Sequence, residues 1–265
     1  MTWELVGDYR WLLCGMRAGL LQTMHPAIDA ALKQHDSTYF QGPMKRILRS
    51  LPQIQGVVFA DDAAGMGAQV RTYHKPLGGQ LSDGTSYHAL NPDVFYWPHA
   101  TFFEEQICAR EFFGTPLTEV EKERLFQESV QWYSLYGMSM KPVPANYREF
   151  RQYWDHMVEA VLVVNGFARA TKRTKPGVFG PSPYPFVPKA LWRPASDAQF
   201  DLLMWITRGT LGPALREKIG ADWSDADERR LRRFGSTLDH TFGRLPRSAR
   251  MVPLARAAYR REAGR

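Results

Sequence analysis

The sequence predicts an all-α fold, a single multi-helix globular domain over residues 1–265 with a short hairpin-like turn and a Pro-rich connector. Three observations lead there. Apolar residues recur at helical spacing in segment after segment. Pro and Gly punctuate the joins between those segments. No βαβ rhythm, heptad array or fixed-period repeat competes with the pattern. With 44% hydrophobic and 13% aromatic residues, the chain can bury a sizeable core.

The elements follow in order. YRWLLCGMRAGLLQ (9–22) has helical spacing and is interrupted at Pro26, just after His25. PAIDAALKQ (26–34) restarts with Pro in the first turn, where its missing N–H costs little. PMKRILRS (43–50) opens the same way, and Pro52 is expected to kink or end it. DDAAGMGAQVRTYHK (61–75) begins with two acids, which suit the positive end of a helix dipole. SDG followed by TSYHAL reads as a turn with extended flanks. DVFYWPHATFFEEQICAREFFG (93–114) is a long aromatic helix ended by Gly114. Thr118 and Glu121 have capping-box spacing at the head of 118–137. A helix over 146–164 precedes the connector, 175–194, which contains Pro176, Pro181, Pro183, Pro185, Pro188 and Pro194. Helices over 196–209, 224–242 and 248–261 complete the chain.

Composition excludes several classes. The two cysteines, Cys14 and Cys108, are far apart and lack a CxxC partner, which argues against a disulfide scaffold or structural zinc. Residues 1–10 carry Glu4 and Asp8 and no apolar run, so no export signal is expected. The longest apolar run, AVLVV (160–164), falls far short of the ~20 residues a spanning helix needs, and a cytoplasmic location is expected. The net charge is +7, and residues 227–265 alone hold 11 Arg against 4 Asp/Glu. That basic end (helices within 224–262) reads as a nucleic-acid patch, a surface attracted to anionic lipid, or a solvated Arg-rich helix pair.

The seven histidines form no HExxH and no pair of Glu-x-x-His motifs, so zinc and di-iron carboxylate sites are poorly supported. No Gly-rich phosphate loop follows a strand and no GxSxG elbow occurs. The candidate positions are fewer. His74 closes a helix, and Val70, Gly67 or Met66, and Ala63 share its face. Gly inside a helix costs ~1 kcal/mol relative to Ala. Gly65 and Gly67 therefore need a reason, either a large flat ligand beside His74 or close helix–helix packing. Arg46 and Ser50 stand at i, i+4 with Arg49 at the edge of their face. An inward Arg there needs an anion or a carboxylate partner. His99 lies among Trp97, Phe102 and Phe103, as an axial or supporting group in an apolar pocket or as a core His bonded to a backbone carbonyl.

Five segments in order resemble the latex-clearing-protein and mycophenolic-acid-type oxygenase family. They are GDYRWLLCGMRAGLLQTMHPAIDAAL (7–32), GPMKRILRS (42–50), VRTYHKPLGG (70–79), DGTSYHALNPDVFYWPHATFFEE (83–105) and LPRSARMVPLARAAYRR (245–261). They resemble, in turn, the family's opening helix with a His-Pro step, its Pro-x-x-Arg-x-x-x-Thr segment, its Leu-His-x-x-Val-x-Gly segment, its Asp-Gly-x-x-Tyr block ending in Trp-x-His-Ala-Thr, and its closing helix. The resemblance implies an all-α fold holding a b-type haem. It places the proximal iron ligand on His74, the Arg near the haem on Arg46, and the neighbouring Thr on Ser50. Rubber-cleaving members carry a Lys where this chain has Arg49, and a guanidinium has no lone pair to offer iron.

The leading expectation is therefore a haem-dependent oxygenase using O2 on an apolar substrate such as an alkene or isoprenoid. Arg46, Ser50 and Arg49 would stand at the reacting side, with Gly67, Val70 and His99 beside the haem. Two alternatives carry different chemistry: a haem carrier or sensor without turnover, and a helical interaction module using its basic end. No nucleic-acid partner is expected, because no aromatic–basic interleaving of a known motif occurs. Peripheral contact with anionic lipid would use the basic end.

Overall fold

A computed structural model describes residues 1–35, 43–170, 177–182 and 184–264, with the side chains of 43–46 and 170 outside the description. Fourteen α-helices and one two-stranded hairpin are found among the described residues.

The chain opens with α1 (Thr2–Gly7) and a 3-10 turn (Tyr9–Cys14) that runs into α2 (Gly15–Thr23). The segment 9–22 is thus helical throughout but not one regular α-helix. Asp8 caps the turn by accepting from the Arg10 N–H at 2.9 Å. Then come α3 (Pro26–His35), α4 (Pro43–Phe59) and α5 (Ala63–His74). Strands β1 (Gly78–Gln80) and β2 (Ser86–His88) pair antiparallel, with Gly79 opposite Tyr87. Gly84 at the hairpin's tip has φ +85°, a conformation that costs glycine little.

The longest core helix is α6 (Pro92–Phe113). Its start is fixed by Asn91, whose side chain accepts from the Asp93 N–H at 3.0 Å, and by Pro92 in the first turn. Phe95, Trp97, Ala100, Phe103 and Cys108 are all buried, so α6 presents apolar surface around much of its circumference, as a helix surrounded by others must. It packs against the 3-10 turn, α2, α7 (Glu119–Ser134) and α12 (Asp225–Thr241). The Thr118–Glu121 capping box forms as its spacing predicts, with bonds of 2.8 and 3.3 Å. Next are α8 (Tyr147–His156) with a π turn (Met157–Val161), α9 (Gly166–Ala170), α10 (Lys189–Thr210) and α11 (Pro213–Ile219). After α12, a 3-10 turn (Phe242–Arg244) leads to α13 (Arg247–Arg250) and α14 (Pro253–Ala263).

Two sequence expectations change, and one long-range contact is new. Pro52 does not break α4, which runs on to Phe59. The Leu48 carbonyl loses its Pro52 partner, but the side chains of Ile47, Leu48 and Arg49 are exposed, so water can replace that bond. Packing of Val57, Val58 and Phe59 then holds the helix together beyond the Pro. The connector is shorter than expected, because α10 already begins at Lys189 and carries Pro194 within it. The cysteines, distant in sequence, meet in the core with sulfurs 3.5 Å apart as free thiols. Hydrogen bonding to Cys108 and burial raise the Cys14 pKa and keep it protonated.

Three of the C-terminal arginines make ion pairs that tie the fold together. The Arg250 guanidinium meets Asp8 at 2.9 Å, and Arg10 meets both Asp8 (2.9 Å) and Asp239 (2.8 Å). Arg232 pairs with Glu228 and Glu111, and Arg261 with Asp61. A bridge between Asp8 and Met251, with Val252 donating to the Gly7 carbonyl at 2.8 Å, joins the two ends of the fold. No helix among the described residues is long and apolar enough to cross a membrane.

Candidate functional site

The α4–α5 pair carries most of the candidate residues. Asp62 starts α5 by accepting from the Gly65 N–H at 2.8 Å. The helix ends at His74, and Pro76 two residues on cannot extend it. Within the last turn, His74 Nδ1 lies 2.8 Å from the Val70 carbonyl oxygen. A carbonyl only accepts, so Nδ1 carries a proton and donates it. The imidazole also meets Phe95 edge-to-face, with centroids 5.3 Å apart at 76°. A hydrogen bond and a ring contact therefore fix a half-buried imidazole in one orientation. Histidines that bind metals are held in this way, by an outer hydrogen bond from the nitrogen that does not ligate.

The glycines of α5 have a different explanation from a bound ligand. A Cβ on Gly67 would lie 2.2 Å from the Leu135 carbonyl oxygen, and one on Gly65 would strike the Asp62 carboxylate. Gly67, expected beside a ligand, is instead buried where α5 touches the backbone after α7. A Cβ on Gly56 of α4 would similarly meet the Met66 methyl at 2.7 Å. Close packing thus holds α5 against α4 on one side and the end of α7 on the other. Val70 contributes its carbonyl, as described, and its side chain is half-buried.

On α4, Ser50 is half-buried and Arg49 is exposed. The Arg46 backbone is helical, one turn before Ser50, and its side chain lies outside the described residues. The face shared by Arg46 and Ser50 is therefore on an element packed directly against α5.

His99 sits in a separate box. It is only 3% exposed, with rings of Trp132 at 4.9 Å, Tyr133 at 5.1 Å, and Tyr96 and Tyr136 at 6.0 Å. Its Nε2 is 3.0 Å from the Ser129 carbonyl and 2.9 Å from the Ser129 hydroxyl. Nε2 therefore donates, and Nδ1 is buried with no protein partner. Burial lowers the His99 pKa to about 3, so the ring is neutral. This is the core histidine bonded to a backbone carbonyl, and the expectation that His99 serves as an axial group is corrected accordingly. Phe95 and Tyr136, with centroids 5.4 Å apart, are the rings that stand between the two histidines.

Two interior charges escaped the sequence reading. Arg17 of α2 is 3% exposed, pairs with Glu104 and donates to the Thr210 carbonyl at 3.2 Å. Burial works against its charge, but Glu104 more than offsets that and the pKa is raised. Glu105 is buried beside the thiols, and burial raises its pKa well above the carboxylate range. Arg10 and Arg17, seven residues apart on an otherwise apolar helical face, were the signal that could have revealed the first of these. A cavity of about 20 Å³ beside Asp8, Arg10, Gln106 and Arg250 has room for a single water. It belongs to the ion-pair cluster and does not touch His74.

Comparison with known proteins supplies the context. Residues 3–240 match the family model described as ER-bound oxygenase mpaB/B'/rubber oxygenase, catalytic domain. Uncharacterized proteins of Mycobacterium bovis and Mycobacterium tuberculosis are each 23% identical over 170 residues, 64% of this chain and 62% of theirs. The chain thus matches less than two thirds of those relatives' length. No solved structure matches.

Proposed function

Because the chain belongs to the ER-bound oxygenase mpaB/B'/rubber oxygenase catalytic-domain family, we propose that it is a haem b-dependent oxygenase acting with O2 on an apolar, alkene or isoprenoid substrate. The observation that carries the haem reading is the oriented imidazole of His74. The Nδ1–H bond to Val70 leaves Nε2 as the nitrogen that would hold iron. When bound, the haem would supply the O2 chemistry that no side chain here can perform. The rest of the task falls to the chain. Val70 and Phe95 orient the imidazole. Arg46, fixed in charge at any working pH, is suited to pair a propionate, and Ser50 offers a hydroxyl on the same helical face. Arg49 has no lone pair and cannot ligate iron. His99, neutral in its aromatic box, supports the wall that Phe95 and Tyr136 present toward His74.

The test is spectroscopic, followed by turnover. Purified or haem-reconstituted protein is expected to show a Soret band, and oxygen uptake with candidate alkenes is expected to depend on it. A protein that takes up no haem would refute the cofactor. A haem-loaded protein that binds CO when reduced yet consumes no oxygen with any alkene would be a carrier or sensor.

A further inference from the structure

Two thiols meet where four elements join, and neither the proposed haem site nor the ion-pair cluster around Asp8 uses them. Cys14 ends the first 3-10 turn, and Cys108 lies on α6. Their sulfurs are 3.5 Å apart, in contact, and both thiols are free. Ala109 and Phe113 of α6, Ile206 of α10 and Leu231 of α12 complete the small apolar cluster around them. Cys14 is wholly buried and Cys108 is 3% exposed. Glu105, one helical turn before Cys108, is buried as well. A Cβ on Gly15 would lie 3.6 Å from Glu105 Oε1, so that carboxyl sits against the residue that follows Cys14.

These surroundings select the chemistry. No three His, Cys, Asp or Glu side chains among the described residues are grouped to hold a metal, so the pair is not part of such a cluster. Burial keeps large substrates and bulky thiol reagents from the sulfurs. Arg17, the cation whose charge reaches Cys14, is engaged by Glu104 and does not make a nucleophilic thiolate of it. What remains is oxidation of the pair itself. A disulfide needs sulfurs about 2.05 Å apart, so the two approach by about 1.5 Å from contact. We propose that Cys14 and Cys108 form a reversible, peroxide-responsive disulfide that fastens the N-terminal turn to α6. One sulfur attacks hydrogen peroxide, the O–O bond breaks, a sulfenic acid forms and one water leaves. The second sulfur displaces the sulfenic hydroxyl: S–S forms, S–O breaks, and the hydroxyl departs with the remaining thiol proton as a second water. The thiol pair is oxidised by two electrons and the peroxide is reduced by two. Peroxide is small enough to reach the pair as the core opens locally, and protonated thiols make the reaction slow, on the order of hours. The bond spans 94 positions of sequence, so it removes much of the freedom of the unfolded chain. A reducing compartment returns the pair to the dithiol. The proposal holds whether or not the chain binds haem.

The experiment counts thiols in the full chain. Folded protein is held with hydrogen peroxide, cleared with catalase, unfolded in denaturant and alkylated with iodoacetamide. Untreated protein is expected to be alkylated at both of its two cysteines, treated protein at neither, and treated protein reduced with dithiothreitol at both again. A peptide map is expected to join Cys14 to Cys108 within one chain. The thermal midpoint is expected to rise by about 5 °C on oxidation, from the closed loop, and the rise is expected to vanish with dithiothreitol, which does not restore oxidised methionine. Cys14→Ala is expected to show no such reversible rise. The proposal is overturned if both cysteines stay alkylatable after peroxide, or if the sulfurs advance to sulfinic or sulfonic acid without being joined. It is also overturned if the map joins cysteines of different chains, if the wild-type midpoint does not rise, or if a reversible rise persists in Cys14→Ala. Should Cys14→Ala fail to fold, the alkylation count and the peptide map of the wild type decide.

Discussion

His74 and His99 are joined through the rings of Phe95 and Tyr136, yet they spend their nitrogens in opposite ways. His74 bonds a carbonyl of its own helix, four residues back, through Nδ1 and is half-buried. His99 bonds a different helix through Nε2, is enclosed by four aromatic rings and is almost wholly buried. The two rings thus differ in which nitrogen their hydrogen bond occupies: Nδ1 in His74 and Nε2 in His99. His99 ties α6 to α7 and has its pKa lowered by burial, which suits a structural part of the wall. Residue type alone does not distinguish the two histidines; the nitrogen that is bonded and the depth of burial do.

Substitutions sharpen the contrast, taken from the largest expected effect on stability to the smallest. His99→Ala leaves a hole among aromatic rings and removes the tie to Ser129. It is expected to cost about 2–4 kcal/mol in a denaturant titration, while the protein that remains folded still takes up haem. Gly67→Ala forces α5 off the Leu135 carbonyl, and a loss of about 1–3 kcal/mol is expected by the same titration. Because the shift carries His74 with it, haem affinity should fall as well, which would not follow if α5 merely packed.

Acid should act on the aromatic box. The folded-state pKa of His99 is lowered from 6.5 to about 3, so the unfolded chain takes up the proton first. The associated stability is complete above about pH 6.5 and drains away as pH falls toward 3, at roughly 1 kcal/mol per pH unit. His25, lowered to about 4 by burial, adds to the same slope. Melting temperatures of the wild type should drop steeply across this range, and those of His99→Gln should drop less. An equal slope in both proteins would mean that His99 is not held neutral by its surroundings. The smallest stability change is expected for His74→Ala, about 1 kcal/mol, since the ring is only half-buried and its bond to Val70 lies within its own helix.

Local patterns were legible in the sequence where the cause is local. The Thr118–Glu121 box, the SDG hairpin and the stop after His74 are each decided within a few residues, and each forms as read. Partners far along the chain were not legible. Gly67 needs Leu135, Cys14 meets Cys108, and Arg17 meets Glu104, pairs that no spacing rule connects. The tolerance of Pro52 was hidden for the same reason, since packing beyond it keeps α4 intact. For the candidate site, helix periodicity identified the face of His74, but only the geometry shows that its glycines serve packing. His99 looked equally eligible because the enclosing rings of Trp132, Tyr133 and Tyr136 come from another part of the sequence.

The measurement that bears most directly on the central claim is the oxidised and reduced absorbance spectrum of three purified proteins: wild type, His74→Ala and His99→Ala. A Soret band should be present in the wild type and in folded His99→Ala and be largely lost from folded His74→Ala. A band that survives in His74→Ala and vanishes with His99 would contradict the account, because iron would then be held from the aromatic box and not from the end of α5.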